Sequence, residues 1–173
     1  HKADSIAGRL PVADTLADES RPVMDNAPVA IYKDSLLDAA HNASESYYKI
    51  ENDKIAVEFT TRGAQPYAVR IKNYRNYDST DLYLFKQGES EMGIGVYAGE
   101  NINTKDFVFQ LVEKTDSSIM MRLPFRNGGY IQQRYALKEG SYVVSNSVSF
   151  VGMDGIIPRN VSYYDFDWEV TVP

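Results

Sequence analysis

Carboxylates are the most plentiful groups in this chain that could do chemistry. Glu89, Glu91, Asp165, Asp167 and Glu169 offer the residue types of a paired-acid hydrolase. Asp165, Asp167 and Glu169 alternate with Phe166, Trp168 and Val170. On a strand this spacing sets the three acids on one face, where a row of oxygens could take a calcium ion. The same alternation turns Phe166 and Trp168 the other way. The plainer expectation is therefore a solvated strand face, with the two rings on the core side. The two histidines are His1, at the start of the chain, and His41. Neither has a neighbour at the spacing of a metal ligand or a general base, so no catalytic or metal-binding residue is assigned.

Gly93-Ile94-Gly95-Val96-Tyr97-Ala98 has the letters of a dinucleotide-binding turn. That mechanism needs a helix after the turn, so that its N-terminus meets the pyrophosphate. Gly99-Glu100-Asn101-Ile102-Asn103 follows instead, and no cofactor is expected. Serines are numerous, but no G-x-S-x-G elbow occurs, and no histidine lies beyond residue 46 to serve a triad. Tyrosine is the remaining resource. Twelve of the thirteen tyrosines lie from residue 47 onward. Amphipathic rings of this kind line grooves for sugars or peptides. Tyr67, Tyr74, Tyr77, Tyr83, Tyr97, Tyr163 and Tyr164 could line such a groove, with Tyr67, Tyr74, Tyr77, Tyr163 and Tyr164 as the selected candidates, against the alternative of ordinary sheet packing with hydroxyls at the surface.

Bulk properties narrow the classes. A chain of 173 residues allows one domain and a tail, and 43% hydrophobic residues suffice for one core. The net charge of -6 and the lack of a basic stripe exclude nucleic acid as an expected partner. Without cysteine there is no disulfide framework and no thiolate chemistry. No apolar run is long enough to span a bilayer, and no basic start leads into a signal-peptide core. The chain opens at His1 without an initiator methionine, which predicts a segment trimmed from a longer protein.

The elements that would hold these residues come in two parts. Residues 1–46 carry four basic and eight acidic groups and have no Phe or Trp. A stretch so poor in large apolar groups cannot offset its ordering entropy alone, and it reads as an acidic linker. Within it Thr15 and Asp18 match a capping box with no apolar face behind it. Residues 29–43 do better: Val29, Tyr32, Leu36, Leu37 and Ala40 fall near one helical face, which predicts a short helix.

From Tyr47 the composition turns β-branched and aromatic. Strands are predicted over residues 47–51, 54–59, 66–74, 82–85, 107–113, 118–125, 130–137 and 142–150, with a short one near 94–97 inside a long connection at 86–106. One or two more follow in 161–173, and the chain stops within a strand-like run. Asn52-Asp53 is the first expected turn, and Gly63 supplies an abrupt reversal. Strands at this spacing with turn punctuation mean an antiparallel all-β sandwich over residues 47–173, not alternating βαβ units.

The stretch from Ile50 to Ala64, IENDKIAVEFTTRGA, resembles the start of the large periplasmic domain of the YidC membrane-protein insertase family. There a strand, a tight turn and a second strand lead to a Thr-Arg/Lys-Gly-Gly reversal, whose second glycine is Ala64 here. Val69–Tyr74 and Leu82–Phe85 are similar to the next two strands of the family. Tyr130–Val144 is similar to its long hairpin. The resemblance implies an antiparallel β-supersandwich of the galactose-mutarotase-like kind, facing the periplasm from a bacterial inner-membrane protein, with residues 1–46 as spacer after a first membrane helix and more strands after Pro173. It also implies a non-catalytic, accessory role. The expected partners are the Sec translocon, its SecD/SecF companion and nascent membrane-protein substrates. The alternative from another class is a carbohydrate-binding β-sandwich module. A mutarotase-like enzyme is disfavoured, because that chemistry uses a positioned histidine and glutamate.

Overall fold

The computed structural model describes residues 29–160 and 164–171. Strands β1 (Tyr47–Glu51), β2 (Ile55–Thr60), β3 (Gln65–Arg75) and β4 (Asp81–Phe85) form one antiparallel sheet in chain order. The first hairpin closes where Asn52 N donates to Ile55 O at 3.0 Å, so Asp53 and Lys54 are its central pair. The Asn52 side chain explains the one-residue shift from the expected turn. Its Oδ1 accepts from the amides of Lys54 and Ile55, both at 2.8 Å. An asparagine that bonds its own backbone two residues on starts a turn instead of occupying its centre.

The second hairpin needs the reversal at Gly63-Ala64, where φ is +75° and +48°. A β-bulge between Glu58 and Phe59 precedes it. The region 86–106, read from sequence as mostly connection, holds β5 (Ser90–Tyr97) and β6 (Asn101–Asn103). Gly93 and Gly95 dilute the strand signal of β5. Packing explains Gly93: a Cβ there would lie 2.2 Å from Asn103 Oδ1 on the adjacent strand. A one-turn 3-10 helix at Thr104–Asp106 then delivers Phe107 and Phe109 into the core as loop residues. The strand expected from 107 accordingly begins only at Gln110.

β7 (Gln110–Lys114), β8 (Ser118–Pro124), β9 (Tyr130–Leu137) and β10 (Val144–Val151) form a second antiparallel meander. Here period-2 burial is clean. Ile119, Met121 and Leu123 on β8 and Ile131, Gln133, Tyr135 and Leu137 on β9 point inward. Val144, Val148 and Phe150 continue that inner row at partial burial, while Ser145 and Ser147 face water. The last described strand, β11 (Asp165–Val170), pairs antiparallel with β5, giving a third sheet of order β11-β5-β6.

A single apolar cluster joins the three sheets through Ile50, Val57, Phe59, Met92, Ile102, Met121, Phe125 and Ile131, among others. The helix predicted over 29–43 forms as α1 (Ser35–Asn42), with Asp34 as its N-cap. Leu37 is its one fully buried residue, whereas Val29 and Leu36 face solvent. The linker residues 1–28, including the Thr15–Asp18 match, lie outside the described residues.

Candidate functional site

Among the described residues, the tyrosines singled out from sequence are spread over the surface, with Tyr97 and Tyr164 at one shared depression. Tyr67 stacks on Tyr47 with ring centroids 4.8 Å apart, across the start of the first sheet. Burial around the Tyr47 hydroxyl, then hydrogen bonding to Tyr67 and Glu45, pushes its pKa up to about 12. Tyr74, near the end of β3, and Tyr77, on the β3–β4 connection, stand exposed at the far tip of that sheet. Tyr164 packs against Phe150, 5.5 Å between centroids. It also lines an open depression of about 490 Å3 with Tyr97, Asn101, Ile102 and Asp165. Tyr163 lies outside the described residues.

The acid row forms as the spacing predicts. Asp165, Asp167 and Glu169 stand opposite Gly95, Gly93 and Glu91 of β5. Glu91 is paired with Lys105 at 2.7 Å, and this contact raises the lysine pKa. Among the described residues no three carboxylates or histidines converge closely enough to hold a metal ion. Phe166, Trp168 and Val170 stand opposite Ile94, Met92 and Ser90 on the other face. Ile94 and Met92 are buried, so the rings do lie on the core side of the sheet. They are nevertheless half exposed, at 51% for Phe166 and 53% for Trp168. β11 is an outer strand of its sheet, paired among the described strands with β5 alone, and this leaves the two rings on the core side yet half open to solvent.

The glycine pair of the G-x-G-x-x-A match sits in mid-strand, and β6 follows where a nucleotide site would need a helix. His41 stacks near Tyr32 and Phe107, and its Nδ1 lies 3.1 Å from Asp106 O. These are packing contacts of the α1 end.

Two polar constellations were not anticipated. Buried Gln133 donates through Nε2 to Gly63 O at 3.2 Å and accepts from Asn146 Nδ2 at 3.3 Å. Tyr135 OH lies 2.8 Å from Ala64 O and 2.9 Å from Gln133 Oε1. Together they bind the reversal between β2 and β3 to the second sheet. The sequence signal was a glutamine at a core-facing position of β9, between Ile131 and Tyr135. The second is Arg62, whose guanidinium bonds the backbone oxygens of Ala43 and Asp106 at 3.1 Å each. No buried side-chain nitrogen or oxygen among the described residues lacks a hydrogen-bond partner.

Fold and polar groups together define an antiparallel β-sandwich domain whose features are surfaces and edges. Its buried polar groups hold its own turns, and its exposed rings stand on edge strands and a hairpin tip. The chain belongs to the YidC periplasmic domain family, whose model matches residues 47–172. It is 33% identical over 135 residues to the membrane protein insertase YidC of Bacteroides fragilis, covering 78% of this chain and 22% of that protein. The Porphyromonas gingivalis YidC is 32% identical, over 77% of this chain and 22% of its own length. The Phocaeicola vulgatus YidC is 31% identical over 170 residues, 97% of this chain and 27% of that protein. The chain thus spans about a quarter of the relatives it matches. No solved structure matches it significantly. Family membership makes it the periplasm-facing part of an inner-membrane protein. No helix among the described residues is long and apolar enough to cross a membrane.

Proposed function

We propose that this chain is a non-catalytic, accessory domain of a membrane-protein insertase, acting by contact with the Sec translocon, its SecD/SecF companion or emerging substrate. The observation that carries the reading is the family match over residues 47–172, together with relatives that are named membrane protein insertases. The disposition of the polar groups supports it. Buried Gln133 and Tyr135 hold the Gly63-Ala64 turn, and exposed Asn146 bonds Gln133 from the next strand. The Glu91–Lys105 pair lies exposed at the surface. What this fold offers a partner is its exposed apolar and aromatic surface: Tyr74 and Tyr77 at one tip, and Phe166 and Trp168 along β11.

The test is co-purification of the Sec partners with the full-length insertase, with and without this domain. Loss of the Sec proteins from the deleted form supports the reading, and undiminished recovery overturns the partner assignment. A second arm crosslinks arrested nascent membrane proteins to the full-length protein from positions 74, 77 and 168. Adducts at these positions would assign the contact to substrate.

A further inference from the structure

Residues 29–46 precede the region matched by the family model, yet they are bonded to connections of all three sheets. At their start, Lys33 N donates to Glu100 Oε1 at 2.9 Å, between β5 and β6. One oxygen of Asp34 caps α1 at Leu36 N, and the other accepts from Arg126 N, just after β8, both at 2.9 Å. Toward their end, Ala40 O accepts from Val108 N at 2.9 Å. Ser46 pairs with Thr61 through two bonds, Ser46 N to Thr61 Oγ1 and Thr61 N to Ser46 O. Between these anchors Leu37 is fully buried, and the Tyr32 ring lies 4.7 Å from Phe107.

One side chain holds the C-terminal end. Arg62 Nη2 donates to Ala43 O, and Nη1 donates to Asp106 O at 3.1 Å and to His41 O at 3.5 Å. It makes no ion pair among the described residues. The guanidinium therefore acts as a clamp on backbone carbonyls, with its charge directed at the carbonyl end of α1.

An eight-residue helix does not persist alone in water. The segment therefore has two states, docked or unfolded. Its apolar hold is small: Leu37 is the one fully buried side chain of α1, Tyr32 and Ala40 pack against the core only partly, and hydrogen bonds supply the rest. The sheets are paired strand to strand without it. A unit with few buried apolar contacts, attached to a self-sufficient core, opens at a lower free energy than that core.

We propose that residues 29–46 are a releasable clasp latched by Arg62. Docked, it closes the sandwich around Phe107 and ties the segment's start to the β5–β6 connection. Released, it uncovers that apolar end and frees eighteen residues, roughly 60 Å of extended chain, between the sandwich and whatever precedes it. The proposal rests on the fold alone, so its failure would leave the Sec-partner reading intact.

Hydrogen exchange read by mass spectrometry on the 173-residue chain tests it, with Arg62→Met as the variant that keeps the apolar stem and removes the donors. In the unaltered chain, α1 amides should exchange about 100-fold or more faster than those of β8 and β9. Arg62→Met should speed α1 exchange about tenfold or more and leave β8 and β9 unchanged. Equal rates for α1 and the sheets, or equal acceleration of both by the substitution, would overturn the clasp and make α1 part of one cooperative unit. Should Arg62→Met fail to fold, Asp34→Ala carries the same test, because it removes the anchors to Leu36 and Arg126 at the exposed end.

Discussion

Tyr135 OH donates to the carbonyl oxygen of Ala64 at 2.8 Å, joining residues 71 apart in sequence. Ala64 has φ +48°, a left-handed conformation that costs a residue with a Cβ about 1–2 kcal/mol. It is held there because its methyl group is fully buried and its carbonyl has a fixed donor. The second sheet thereby stabilises the sharpest turn of the first.

Tyr135→Phe removes that donor and the contact with Gln133 Oε1. It should destabilise the domain by about 1–3 kcal/mol in urea denaturation at neutral pH. The deficit should shrink in alkali. Burial raises the Tyr135 pKa well above 10.0. The folded phenol therefore stays neutral while the unfolded one ionises, and its stabilisation, complete below pH 10, falls by about 1.4 kcal/mol per pH unit above it. The phenylalanine variant lacks this loss, so the two denaturation midpoints should converge above pH 10. A gap that stays constant to pH 11 would contradict the assignment.

Position 64 should tolerate little. Ala64→Val adds a β-branched side chain at positive φ in a full core, and should cost more than about 2 kcal/mol. Ala64→Gly relieves the strained φ but loses a buried methyl and loosens the unfolded chain, terms of about 1 kcal/mol each that oppose one another. Its melting temperature should therefore stay within a few degrees of the parent, and thermal unfolding of the pair separates the cases.

Gly93 is a packing glycine. Gly93→Ala places a methyl against Asn103 Oδ1, which caps the next turn at Lys105 N. It should cost about 1–3 kcal/mol. Adding Asn103→Ala makes room and should recover part of the loss, a coupling that a double-mutant cycle of thermal stabilities measures. Additive losses would mean that the two side chains do not meet.

These three positions show where sequence reading works in this chain. The clean alternations of β8 and β9 gave their strands and inward faces, because a hydrophobic period of two is local information. β1 and its turn region were legible within a residue, the shift at Asn52 arising from a side-chain bond that spacing does not encode. β5 was mostly hidden, since Gly93, which faces the Asn103 side chain on another strand, weakens the strand signal. Arg62 and Gln133 were invisible as a pair of anchors. Their partners are backbone oxygens of Ala43, Asp106 and Gly63, which have no side-chain identity to read. The row of Asp165, Asp167 and Glu169 and the opposite face of Phe166 and Trp168 are legible in the alternation; the half exposure of the rings is not, because which strand lies at the edge of a sheet is set by pairing between distant segments.

Glu51 gives the domain a small acid sensitivity. Lys72 at 2.9 Å and Lys49 at 3.2 Å hold its carboxyl below the ordinary value of 4.5, Lys72 being the larger cause. A lowered carboxyl pKa contributes stability that is complete above pH 4.5 and is lost as pH falls through the folded value. Because the pair is partly exposed, Glu51→Gln should cost no more than about 1 kcal/mol at pH 7. The difference should close in acid and shrink in 1 M salt. A penalty that persists unchanged at pH 2 would assign it to packing.

Trp168 reports on the edge strand without any labelling, since it is the sole tryptophan. It is 53% exposed, and its Nε1 donates to Ser90 Oγ at 3.0 Å. Its emission should be red-shifted and readily quenched by neutral acrylamide. Asp165, Asp167 and Glu169 on the opposite face of the same strand set a negative local potential. Caesium should therefore quench better than iodide at low salt, and added sodium chloride should bring the two together as the Debye length shrinks to about 3 Å at 1 M. Trp168→Ala should cost only about 1–2 kcal/mol, since roughly half of the side chain is already in water. Blue-shifted emission resistant to acrylamide would mean instead that the inner face of β11 is covered in solution. Sedimentation of the same sample would then tell a second copy from an internal cover, since only a second copy doubles the mass.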